Sequence, residues 1–186
     1  MGRLSEAEFH AAEKRPVIAV LDNVRSQYNV GAVFRTADAF LIEAVYLCGI
    51  SPTPENIEVH KTALGAEKTV NSEHFSNTLE AVAKLHEKGY QVFAIEQCSH
   101  STDLKEFVEA LNGKGGERVE SRESRERKES RERKEGIAVV FGHEVFGVAQ
   151  EVIDQCDGCI EIAQYGTKHS LNVSTTAGIV LYELTK

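Results

Sequence analysis

Four short, nearly unbroken apolar runs constrain the architecture of this chain more than any other feature. They are Val17–Leu21 (VIAVL), Ala44–Cys48 (AVYLC), Tyr90–Ile95 (YQVFAI) and Ile137–Phe141 (IAVVF). Each is short for a buried helix and lacks the apolar–polar alternation of a half-exposed strand. They read as strands buried on both faces, the pattern of a parallel sheet covered by helices. The segments between them supply helices. Ser5 and Glu8 have capping-box spacing, and Val30, Val33, Phe34 and Ala37 repeat at helical intervals, predicting a helix over 29–40. Further helices are expected over 57–64, after Asn77 with Leu79, Val82, Ala83 and His86 as one stripe, over 152–155, and over 172–184; a fifth strand is expected over 159–162. Repeated β–α alternation predicts an α/β fold, a parallel sheet with helices on both faces. With 186 residues, one domain over 1–186 is expected, carrying a helical N-terminal extension over 1–16.

One stretch departs from this pattern. Residues 112–136 form a charged low-complexity insertion in which the hexad ESRERK begins at Glu123 and again at Glu129. From Lys114 to Glu135 there are nine Lys/Arg, seven Glu and a single apolar residue, Val119, so the segment has nothing with which to build a core. It reads as a solvated insertion, since its interleaved glutamates oppose the sharper reading of an RNA-phosphate arm. The chain as a whole is acidic, with 21 Lys plus Arg against 29 Asp plus Glu and a formal charge of −8, which disfavours nonspecific nucleic-acid binding. No apolar run approaches the roughly 20 residues of a membrane span, and no signal-peptide core opens the chain, so a cytoplasmic protein without membrane contact is expected. Four cysteines fit reduced thiols better than a disulfide framework. Cys156 and Cys159 lack a second ligand pair, so no metal site is expected.

Three polar clusters stand where ligands bind in such sheets, at loops beyond the strands' C-terminal ends. In the first, NVGAVFRTA from Asn29 to Ala37, Asn29 occupies a position suited to an N-cap, Gly31 leaves room for close approach, and Arg35 offers a guanidinium fork for phosphate or carboxylate. In the second, FGHEVFG from Phe141 to Gly147, two glycines free backbone N–H groups and Glu144 is a candidate orienter or base. In the third, Gly166 to Ser174, Ser170 or Asn172 is placed to cap the last helix, whose N-terminus suits an anion or polar ligand. The chain has no P-loop, no G-x-G-x-x-G fingerprint and no G-x-S-x-G elbow.

In this order the three clusters resemble the motifs of the SpoU (TrmH-like) branch of the SPOUT superfamily, S-adenosylmethionine-dependent RNA 2′-O-ribose methyltransferases. N-x-G-A-x-x-R-T-A stands as NVGAVFRTA, F-G-N-E-G-x-G as FGHEVFG, and S-L-N-V-S is unchanged from Ser170 to Ser174. The resemblance implies an α/β-knot fold with a C-terminal trefoil and a homodimer whose active site draws on both protomers. It implies Asn29, Arg35, Glu144, Ser170 and Asn172 as catalytic positions, and a methyl-donor pocket at Ile95, Gly142, Gly147, Ile162, Ser170 and Leu171. Arg35 is expected to clamp the target phosphate or developing oxyanion, with the hydroxyl proton passing to phosphate, water or Glu144. The chain departs from the pattern at His143 (usually Asn), Val145 (usually Gly), Ala163 and Gln164, and a β-branched Val145 predicts an ordinary backbone there rather than positive φ. With no RNA-binding domain expected before the core, tRNA is favoured over rRNA. The alternative is a catalytically silent RNA-binding module on the same fold.

Overall fold

The computed structural model describes residues 2, 4–113, 136–168 and 170–186. The charged insertion therefore lies outside the described residues except at its margins, as does His169. Helix α1 (Glu6–Ala11) starts in the capping box expected of Ser5 and Glu8. It leads into β1 (Arg15–Asp22), α2 (Gln27–Ala39), β2 (Ile42–Cys48), α3 (Ile57–Ala63), α4 (Ala66–Thr69), β3 (Asn71–Phe75), α5 (Thr78–Glu87) and β4 (Tyr90–Ile95). The chain continues through β5 (Thr102–Asp103), α6 (Leu104–Leu111), β6 (Gly136–Phe141), α7 (Gln150–Ile153), β7 (Gly158–Glu161) and α8 (Val173–Thr185).

The seven strands form one sheet in the order β3-β2-β1-β6-β4-β7-β5, and every pairing is parallel. Its two faces explain the unbroken apolar runs. Along β1, Val17, Ala19 and Leu21 enter the core shared with Phe34 of α2 and Leu181 of α8. Ile18 and Val20 enter the opposite core with Leu85 of α5 and Val152 of α7. A polar residue on either face would be stranded without water.

The crossovers position the site. Strand β6 enters between β1 and β4, the chain then steps over β4 to β7, and α8 returns to pack on α2 and β1. That crossing order is compatible with the threaded C-terminus the family resemblance implies. Ile95, Phe141 and Ile160 stand abreast at the ends of β4, β6 and β7, so three loops leave the sheet at one level.

Several local expectations need correction. Helix α2 begins two residues early, and Ser26, not Asn29, caps it by accepting from the Asn29 N–H. Gly31 is buried where α3 crosses α2; an added Cβ would lie 1.9 Å from Thr62 Oγ1 and 2.6 Å from the Val59 carbonyl oxygen, so the close approach is helix on helix. Helix α5 starts after Asn77 as expected, but its inward stripe is Thr78, Ala81, Val82 and Leu85 rather than Leu79, Val82, Ala83 and His86. Strand β3 (NSEHF) buries only Phe75 at the sheet edge and so carried no apolar signal.

Candidate active site

The β4–β5, β6–α7 and β7–α8 loops enclose a cleft of about 650 Å³ at the C-terminal end of the sheet, within the size range of small-molecule sites. Of the expected positions, Ile95, Gly142, Glu144, Gly147, Ile162, Ser170, Leu171 and Asn172 all line it. Asn29 stands behind the wall, joined to it by hydrogen bonds. Arg35 is not brought in: it is exposed on α2, six residues past Asn29 and so about 120° further around the helix. Arg35 has no polar partner among the described residues.

The β6–α7 loop is a tight closed turn. The His143 N–H donates to the Gly147 carbonyl at 3.0 Å and the Gly147 N–H returns to the His143 carbonyl at 2.9 Å. Gly142 is obligatory, because a Cβ there would sit 2.1 Å from the Gly147 carbonyl carbon and 2.2 Å from the Val148 nitrogen. Gly147 carries the left-handed conformation (φ 68°), and a Cβ on it would meet Glu96 Oε2 at 2.1 Å. Val145 keeps negative φ, as expected, so the loss of the usual glycine is absorbed without backbone strain.

Glu144 fastens this loop to the start of α2. Its carboxylate accepts from the backbone N–H groups of Arg25 (3.1 Å) and Ser26 (2.8 Å) and from Asn29 Nδ2 (3.1 Å). Burial pushes its pKa up, but those backbone donors and the Asn29 amide outweigh burial and hold it below the usual carboxylate value. A carboxylate already accepting three hydrogen bonds is a weaker base than a free one. Asn172 completes the chain of contacts. Its Oδ1 caps α8 by accepting from the Ser174 N–H (2.9 Å) and Thr175 N–H (3.4 Å), and its Nδ2 donates to Asn29 Oδ1 at 3.2 Å. The helix cap is thus Asn172, with Ser170 left exposed at the cleft lip. Asn172, Asn29 and Glu144, one from each cluster, form a continuous hydrogen-bonded line.

Two acidic residues escaped the sequence reading. Glu96, beyond the end of β4, accepts from the Val148 N–H at 3.1 Å and stands at the cleft wall. Asp22, buried at the end of β1, accepts from Asn23 Nδ2, Thr78 Oγ1 and, at 3.4 Å, the Ala149 N–H. Neither lies in a motif; the only sequence signal was an acidic residue directly following an apolar strand. Among the described residues the cleft lining holds Glu96, Glu144 and Glu161 and no Lys or Arg, so its field favours a cationic ligand over an anionic one. Burial pushes the thiols of Cys156 and Cys159 up to about 12, which disfavours their nucleophilic thiolate forms.

The chain is 30% identical over 174 residues to the 23S rRNA (guanosine-2′-O-)-methyltransferase RlmB of Vibrio cholerae, an alignment covering 93% of this chain and 60% of that enzyme. It is also 30% identical to the tRNA (guanosine(18)-2′-O)-methyltransferase of Thermus thermophilus, over 91% of this chain and 75% of that one. The fold matches the AdoMet-bound rRNA methyltransferase of Sinorhizobium meliloti with a TM-score of 0.71 at 22% identity, over 95% of this chain and 59% of that one. The family model described as "SpoU rRNA Methylase family" matches residues 16–182. That span takes in all three loops and the hydrogen-bonded line joining them, and the chain belongs to the SpoU methylase family.

Proposed function

We propose that this chain transfers a methyl group from S-adenosylmethionine to a ribose 2′-hydroxyl of RNA. The observation that carries the reading is the convergence of Asn29, Glu144 and Asn172 on one wall of an acidic cleft. The residues present fit the donor: a cationic ligand suits a lining with three carboxylates and no Lys or Arg, and Gly142 and Gly147 keep the loop backbone uncovered. The relatives named above act on rRNA or tRNA at the 2′-oxygen, and one related structure holds AdoMet.

When bound, the sulfonium supplies an already activated methyl group. The chain's task is alignment, and fixed orientation is worth several kcal/mol of such a barrier. Backbone groups near Ile95, Gly142, Ile162 and Leu171 hold the donor, while the Asn172–Asn29–Glu144 line sets the spacing between the donor loop and α2. Arg35, whose guanidinium offers N–H donors and no acceptor, binds phosphate or the developing oxyanion. Its distance from its own cleft supports a homodimer in which it serves the partner's site. The hydroxyl proton leaves to water or substrate phosphate, since Glu144 already accepts three hydrogen bonds. We favour tRNA, the substrate named for the Thermus thermophilus relative. We favour a cytoplasmic setting for its four free cysteines.

Calorimetry with S-adenosylmethionine, paired with methyl transfer to bulk tRNA, tests the reading. Donor binding with 2′-O-methyl product supports it, whereas donor binding with no methylation of any RNA would leave a silent module on the same fold. Arg35→Ala is expected to keep donor affinity and lose methyl transfer.

A further inference from the structure

The lips of the cleft carry aromatic surface that the mechanism leaves unused. Phe146 is 83% exposed in the middle of the β6–α7 loop, although it lines the same cleft as Ser170 and Asn172. The β7–α8 loop, which forms another wall, carries Tyr165 at 96% exposed, next to the cleft-lining Gln164. Exposed aromatics on loops cost solubility and mark binding surfaces when they border a site.

Phe146 is also held in place. The His143 ring packs beneath it with centroids 4.9 Å apart and planes tilted by 34°. The Val145 N–H donates to His143 Nδ1 at 3.0 Å, which fixes that imidazole in the turn. The reciprocal His143–Gly147 backbone bonds close the loop on both sides. A ring so supported presents one free face with little left to order on binding.

The electrostatics decide what that face takes. An RNA strand gains affinity from cations facing its phosphates, yet the cleft lining has three carboxylates and no Lys or Arg. The described lining thus offers RNA uncharged contact rather than cations, and base–aromatic stacking is such a contact, open to every nucleotide. We propose that Phe146, backed by His143, is the stacking platform for a nucleobase of the RNA substrate, holding its nucleotide at the lip of the donor cleft. The proposal rests on the methyltransferase reading and adds to it a substrate-positioning residue that lies outside the three hydrogen-bonded side chains.

The test compares the full-length protein with Phe146→Ala and Phe146→Trp. The substrate is total RNA from cells lacking this protein, and the readouts are methyl-transfer KM and kcat, calorimetric donor affinity and solution mass. Stacking predicts that Phe146→Ala raises the RNA KM about fivefold or more, the lower end of what one stacked base contributes. Donor affinity and solution mass stay unchanged, and Phe146→Trp restores the KM. An unchanged KM in an active Phe146→Ala enzyme would overturn the proposal and leave the methyltransferase reading standing. A changed solution mass with unchanged KM would assign Phe146 to a contact between copies of the chain and overturn it equally. A wild-type protein that binds donor but methylates none of this RNA would defeat the underlying reading, and the proposal with it.

Discussion

Replacing Glu144 by glutamine isolates what the carboxylate does for the fold. The wild-type side chain receives two backbone N–H groups and one amide, all within 3.1 Å. Glutamine keeps one oxygen acceptor but turns an NH₂ toward donors, so at least one backbone N–H loses its partner. Hydrogen bonds to a charged acceptor are each worth about 1.5–3 kcal/mol when buried; this carboxylate is partly exposed, and water replaces some of the loss. A net destabilisation of about 1–2 kcal/mol at pH 7 follows, or a melting temperature lower by roughly 2–8 °C for a chain of this size. The pH dependence supplies the sharper test. Because the folded-state pKa of Glu144 is lowered, its stabilisation is fully present above the unfolded value near 4.5 and is lost as pH falls through the folded value. Urea unfolding of both proteins from pH 7 downward should show the difference intact at pH 6 and shrinking once the pH is well below 4.5. A stability gap that persisted undiminished to pH 3, or was missing at pH 7, would refute the assignment of Glu144 as an ionised clasp.

Other substitutions separate architecture from chemistry. Asn172→Ala removes the α8 cap and should cost about 1 kcal/mol in urea unfolding; Asn172→Asp keeps the capping oxygen, loses only the donor to Asn29, and should melt near wild type while methyl transfer falls roughly tenfold or more. Gly142→Ala forces a methyl group against the backbone of Gly147 and Val148, and should cost about 1–3 kcal/mol and abolish donor binding in calorimetry. Cys156 and Cys159, pushed up to about 12 by burial, should react with an aromatic disulfide at pH 8 more than about tenfold more slowly in the native protein than after unfolding.

Much of this architecture was readable because burial on both faces leaves a plain mark. The runs VIAVL and IAVVF named the central strands, and Val30, Val33, Phe34 and Ala37 named the inward face of α2, all four of them buried. Edges and short elements left weaker marks: β3 is polar, and β5 is two residues long. Helix α6 did carry a signal, with Leu104, Phe107, Val108 and Leu111 at helical spacing after the N-cap Asp103. Motif order pointed to residues that line the cleft, but not to their partnerships. Nothing local in NVGAVFRTA says that Asn29 would receive a hydrogen bond from Asn172, 143 positions away, or that Gly31 serves a helix crossing. Glu96 and Asp22 belong to no motif, and their placement comes from strand register alone. The family resemblance supplied the expected knot and dimer; periodicity is blind to both.

The central claim is that the acidic cleft delivers a methyl group to a ribose oxygen. Mass-spectrometric mapping of RNA from cells with and without this protein tests it most directly. The account predicts at least one nucleotide whose 2′-O-methyl mark disappears with the protein and returns with wild type but not with Arg35→Ala. Identical ribose methylation in both RNAs, or a lost mark that resides on a base, would contradict it.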